Sequence, residues 1–298
     1  MKKLTLLFLT FLIILTGCAV SGDTADIVAT TLPVYDFTVY LCQTTDLEVT
    51  QLITESVSCL HDYTLQVSQM KSIEEADLVV ISGAGLETFL EDVITDNSHI
   101  IDASASIELL CPEDAHLHHH HDYDDHDHHD HSHESDSHIW LSPANAMVMA
   151  GNICEGLCSR YPRYEATFRD NLARLLEELQ LLQKYGEDAL GTLSCRELIT
   201  FHDGFAYFAD SFGLTILEAV EEESGSEASA KELIHLIELA EEHSLPAIFT
   251  EVNGSTSAAS VISAETGAKL YSLDMAMAGN GYFDAMYHNI DTIKEALQ

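Results

Sequence analysis

The 298-residue sequence predicts an α/β protein of two βα lobes, each built on a parallel four-stranded sheet, joined by a long rigid helix. Three observations carry this expectation. Short apolar runs rich in β-branched residues alternate with helix-like stretches, the pattern of a parallel sheet with helices on both faces. The alternation occurs twice, with four such runs in each half of the chain. Between the halves lies a long stretch that reads as helix throughout.

In the first half, Ile27 to Thr31 reads as a strand and Pro33 opens a helix through Leu41. Glu48 to Ile53 is the second strand, followed by a loop and a helix from Gln66 to Ala76. Leu78 to Ser82 is the third strand, Leu86 to Ile94 a helix, and Ile100 to Asp102 the fourth strand. The middle of the chain reads as two helices, Ser142 to Leu157 and Tyr164 to Tyr185. Leu172, Leu175, Leu176, Leu179 and Leu182 give the second an apolar stripe fit for a core. At 1.5 Å per residue, about twenty residues of helix reach about 30 Å, long enough to join two lobes. The second half predicts strands at Glu197 to Phe201, Leu214 to Val220, Ala247 to Thr250 and Lys269 to Leu273. Its helices fall at 204–212, 229–243, 257–266 and 282–297.

The first residues read differently. Lys2 and Lys3 precede an apolar run from Leu4 to Leu15, short for a membrane span but suited to a secretory signal. The run ends in Leu15-Thr16-Gly17-Cys18, which resembles a bacterial lipobox. That resemblance implies a signal peptide over residues 1–17, lipid on Cys18 and a tether over 18–25. The lobes are then expected over 26–141 and 191–298, with the linking helical segment over 142–190. The chain is expected to be anchored to the membrane and not to span it.

Fifty acidic residues against twelve basic ones give a formal net charge of −38, which disfavours nucleic acid and favours cations. Leaving Cys18 aside, six cysteines permit disulfides without fixing a pairing. No CxxC pair is present, and Cys154 and Cys158, four apart on a helix, read as small core residues.

Residues 113–136 belong to neither pattern. Ten histidines (His116, His118, His119, His120, His121, His126, His128, His129, His131 and His133) are interleaved with aspartates. Such a stretch cannot build a core and is expected to form a disordered loop with several weak metal sites. A selective site needs ligands held by the fold. Three histidines stand in motif-like surroundings: His61 in Leu60-His61-Asp62-Tyr63, His138 in Ser137-His138-Ile139-Trp140-Leu141-Ser142-Pro143, and His202 in Phe201-His202-Asp203-Gly204-Phe205. His202 follows a strand directly, His61 lies beyond one, and Asp274 ends the last strand. Ligands of open α/β sheets collect at the carboxyl ends of strands, so His61, His138, His202 and Asp274 form the expected metal site. Glu251, at the end of another strand, or a water competes for the fourth position.

These motifs, with Glu75-Ala76-Asp77-Leu78-Val79, Gly83-Ala84-Gly85-Leu86-Glu87 and the run His202 to Phe208, resemble the ZnuA/TroA family. Its members are zinc- and manganese-binding components of ABC importers. The likeness covers nearly the whole mature chain in the expected order, including a histidine-rich loop just before the second ligand. Two positions depart from it: Leu60 and Ser137 stand where the family usually has proline before the histidine. The resemblance implies metal held in the cleft between two lobes with little hinge closure. It also implies docking of a monomer on a membrane permease driven by a cytoplasmic ATPase.

Three imidazoles and one carboxylate favour tetrahedral Zn2+, whereas a glutamate at position 202 would favour Mn2+. Zinc is therefore the expected cargo, with Mn2+ or Fe2+ the alternatives, and a surface metal buffer or adhesin the alternative role. Three histidines with an open position can also activate water. The sequence offers no separate nucleophile or general base beside them, so no enzyme is expected.

Overall fold

The computed structural model describes residues 25–55, 60, 63–90, 93, 99–110, 136–220 and 228–298. The expected signal peptide, Cys18, most of the tether, His61 and the histidine tract lie outside the described residues.

Two four-stranded parallel sheets organise the chain. The first contains β1 (Ile27–Ala29), β2 (Val49–Gln51), β3 (Leu78–Ile81) and β4 (Ile100–Asp102), in the order β2-β1-β3-β4. The second contains β5 (Glu197–Thr200), β6 (Thr215–Ala219), β7 (Ala247–Glu251) and β8 (Lys269–Leu273), in the order β6-β5-β7-β8. Both sheets thus share one winding. The chain leaves the central strand in one direction and returns on its other side, which opens a crevice at the carboxyl ends of β1 and β3, and of β5 and β7.

The first lobe adds helices α1 (Leu32–Leu41) and α2 (Val67–Glu75). Helices α3 (Pro143–Arg160) and α4 (Glu165–Leu190) form the connection. The second lobe adds α5 (Ala206–Phe212), α6 (Ala230–Glu242), α7 (Ser257–Thr266) and α8 (Tyr282–Leu297). Local chemistry sets several ends. Ser142 caps α3 by accepting from the Asn145 N–H, and Ser229 with Glu232 forms a capping box on α6.

Helix α4 packs against α1 in one lobe and against α5 and α8 in the other. Phe168, Leu175, Leu179 and Leu182 on its buried stripe belong to one apolar cluster that runs from Ile27 to Leu297. A second cluster lies between the other face of the second sheet and α6 and α7. Strand β7 shows the period-two logic: Phe249 points into the first cluster and Ile248 into the second. Because the larger cluster spans both lobes, separating them would expose a shared core, which resists hinge opening.

One element departs from expectation. The α-helix predicted over Leu86 to Ile94 is a turn at 84–87 and a short 3-10 helix, Thr88–Leu90, among the described residues. The Glu87 carboxylate explains this. It turns back to accept the N–H groups of Ser82 and Gly83 and the hydroxyl of Thr30. Gly83, Ala84 and Gly85 all take positive φ, which closes the turn in place of a helical first turn. A side chain on Gly83 would collide with Asp102 and Ser104. No helix among the described residues is long and apolar enough to cross a membrane.

Candidate metal centre

Two of the expected ligands meet across the lobes. His138 precedes the short 3-10 helix Ile139–Leu141, which leads into α3, and His202 follows β5. Their Nε2 atoms stand 3.3 Å apart, with the rings edge to face at 5.1 Å between centroids. Two nitrogens bound at about 2.0–2.1 Å to a tetrahedral zinc stand about 3.3–3.4 Å apart. The pair therefore already has the separation of two ligands on one ion.

Each imidazole has a carboxylate against its other nitrogen. Asp136 Oδ1 lies 2.8 Å from His138 Nδ1, and Glu251 Oε2 lies 3.8 Å from His202 Nδ1. His138 and Glu251 are both buried, at 6% exposure. A carboxylate behind an imidazole fixes its orientation and raises its basicity as a ligand. Glu251 thus faces the nitrogen of His202 that points away from His138. No Lys or Arg occurs in residues 72–159 or 197–230, the stretches that carry both histidines.

Contacts between distant segments hold the two histidine loops in register. Trp140 packs edge-on to His138 and donates its indole N–H to the Met275 carbonyl, just beyond β8, at 2.8 Å. The fully buried Tyr282, first residue of α8, donates its hydroxyl to the Trp140 carbonyl. Asp36 of α1 accepts the Tyr282 N–H, and Phe37 packs edge to face with the Tyr282 ring. Gly204 sits where these loops converge. A Cβ there would lie 2.5 Å from Met275 Cε, 2.7 Å from His202 Cδ2 and 3.0 Å from His138 Cγ, so only glycine fits.

Asp274 directly follows β8, and its Oδ1 accepts the Ala276 N–H. The buried Asn289 of α8 exchanges two hydrogen bonds with the Asp274 backbone. Among the described residues no group of three or more His, Cys, Asp and Glu side chains is placed to hold one ion. The described residues bring together His138 and His202, while His61 is outside them. Cys154 and Cys158, on α3, are buried free thiols with sulfurs 4.0 Å apart. Sequence reasoning missed Asp136. Its signal was an aspartate two residues before a histidine, a spacing at which the side chain folds back onto the backbone.

A family profile described as "ZnuA: Zinc-uptake complex component A periplasmic" matches residues 27–296. The chain belongs to this family. Membership makes it a binding component of an uptake complex and not an enzyme. The high-affinity zinc uptake system protein ZnuA of Bacillus subtilis (strain 168) is 30% identical over 288 residues, covering 93% of this chain and 88% of that one. The zinc-binding lipoprotein AdcA of Streptococcus pneumoniae serotype 4 is 28% identical over 315 residues, covering 99% of this chain. This chain spans only 61% of that relative, and 55% of the Streptococcus pyogenes AdcA proteins. The crystal structure of Zn(II)-bound AdcA from Streptococcus pneumoniae superposes with a TM-score of 0.75 at 26% identity, covering 92% of this chain and 58% of that one.

Proposed function

We propose that this ZnuA-family protein captures Zn2+ in the cleft between its lobes and delivers it to an ABC-type import permease. The observation that carries the reading is the 3.3 Å separation of the His138 and His202 Nε2 atoms, each ring backed by a carboxylate. Two imidazoles at the edge length of a zinc tetrahedron suit a borderline-soft dication. The names of the Bacillus and Streptococcus relatives support zinc as cargo. His61 and Asp274 complete the proposed site as third and fourth ligands. Glu251 is assigned to the outer shell, because it meets His202 at the nitrogen turned away from His138.

In this reading Cys18 carries lipid and holds the protein, as a monomer, on the extracytoplasmic face of the cell membrane. Residues 26–141 and 191–298 act as the two lobes around the linking segment 142–190. The ten-histidine tract supplies weak auxiliary sites.

The test is a Zn2+ and Mn2+ titration of the mature chain and of a form lacking residues 116–133. One tight zinc site in both forms, with weak manganese binding, supports the proposal. Tight manganese binding would change the cargo. Loss of every tight site on deletion would leave the tract as the metal-binding element and overturn the cleft assignment.

A further inference from the structure

Asp136 makes a set of contacts that a surface aspartate does not. Its Oδ1 accepts two hydrogen bonds from one residue, the backbone N–H and ring Nδ1 of His138, both at 2.8 Å. A carboxylate only accepts, so this contact puts the ring proton on Nδ1 and leaves the Nε2 lone pair facing His202. Its backbone is fixed as well. The Asp136 N–H donates to the Leu110 carbonyl, and its carbonyl accepts from the hydroxyl of Tyr207 on α5, in the other lobe. The same hydroxyl accepts the Leu110 N–H. The second carboxylate oxygen, Oδ2, is buried with no hydrogen-bond partner among the described residues.

We infer that Asp136 is a positioning residue for metal capture, holding His138 in the ligating tautomer and orientation and supplying buried negative charge to the ion through the imidazole. The unpartnered oxygen is central to this. A carboxylate oxygen that is buried and accepts nothing among the described residues is costly on its own. Its charge is best offset when a dication on the far nitrogen polarises the ring and strengthens the Nδ1–H bond. The aspartate therefore contributes to metal affinity more than to folding. The inference rests on the reading of His138 as a zinc ligand.

The experiment compares full-length wild type with Asp136→Asn, Asp136→Ala and His138→Ala. Zinc affinity is measured against a competing chelator strong enough to empty the weak sites. Proton NMR follows the hydrogen-bonded Nδ1–H resonance, assigned by its loss in His138→Ala. Asp136→Ala is expected to lose that resonance and to bind zinc roughly tenfold to a hundredfold more weakly, the usual effect of removing an outer-shell partner. Asp136→Asn keeps a neutral acceptor for both bonds, and is expected to retain the resonance and recover part of the affinity. If Asp136→Ala and Asp136→Asn bind as tightly as wild type while His138→Ala does not, the positioning role is overturned and the zinc site stands. If His138→Ala also binds at full strength, the site assignment itself has failed.

Discussion

The two sheets share one strand order, yet their crevices are filled in different ways. In the second lobe, the residues that emerge at the ends of β5 and β7 are His202 and Glu251, and the crevice presents an imidazole to the cleft. In the first lobe, the ends of β1 and β3 are closed by the chain itself. Glu87 fills that crevice and takes Thr30, Ser82 and Gly83 as donors. The first lobe instead places His138 on a segment that leads out of the lobe, and fixes it with Asp136 and Trp140. Among the described residues, one topology thus presents a proposed ligand in one copy and a carboxylate bonded to its own chain in the other. Fold alone would have nominated both crevices; the side chains decide between them.

Four substitutions test this division, in descending order of expected effect. His202→Ala removes a proposed ligand from the open crevice. If about 12 kcal/mol is shared among the four proposed ligands, one is worth about 3 kcal/mol, so zinc affinity should fall roughly a hundredfold to a thousandfold in a chelator competition. Unaltered far-UV circular dichroism would place the loss in the site and not in the fold.

Glu87 tests the sealed crevice. Burial pushes its carboxyl from 4.5 up to about 7, against the lowering effect of its three hydrogen bonds. The folded chain then holds a proton that the unfolded chain releases. The associated stability is fully present below about 4.5 and is lost as pH rises through about 7. Chemical denaturation of the wild type should show stability falling over that window, by an amount on the order of 3 kcal/mol from this group. Glu87→Gln should flatten the slope; an unchanged slope would mean that another group carries it.

Gly204→Ala forces a methyl group against Met275, His202 and His138. Overpacking of this kind costs about 1–3 kcal/mol, so both the unfolding midpoint and zinc affinity should drop together. A drop in the midpoint alone would show that the histidine loops can yield without losing their geometry. Tyr282→Phe is the mildest change. It deletes the hydrogen bond to the Trp140 carbonyl, at a cost of about 1 kcal/mol read by thermal unfolding.

Much of the fold was legible because it follows periodicity. The segments 257–266, 269–273 and 282–297 begin and end where the apolar pattern and the flanking glycines place them. The stretch 86–94 misled because its propensity is helical, whereas a buried carboxylate bonded to the chain behind it costs less than an unpaired one. In the site, His138 and His202 stood out through their local motifs. The contacts that aim them did not, since Trp140 and Met275 are 135 residues apart and Tyr282 and Trp140 are 142 apart. Pairings at that separation leave no local pattern to read.

The Tyr207 hydroxyl bridges Leu110 and Asp136, and a direct bond between those two residues closes the ring of contacts. The ends of the intervening stretch are thus fastened to each other before that stretch contributes anything. Enclosing more chain between fixed ends costs only about 0.6 kcal/mol per doubling of length. The junction is thereby held independently of the length of chain it encloses. Changing the number of residues between those two points by design is therefore expected to leave His138 in place.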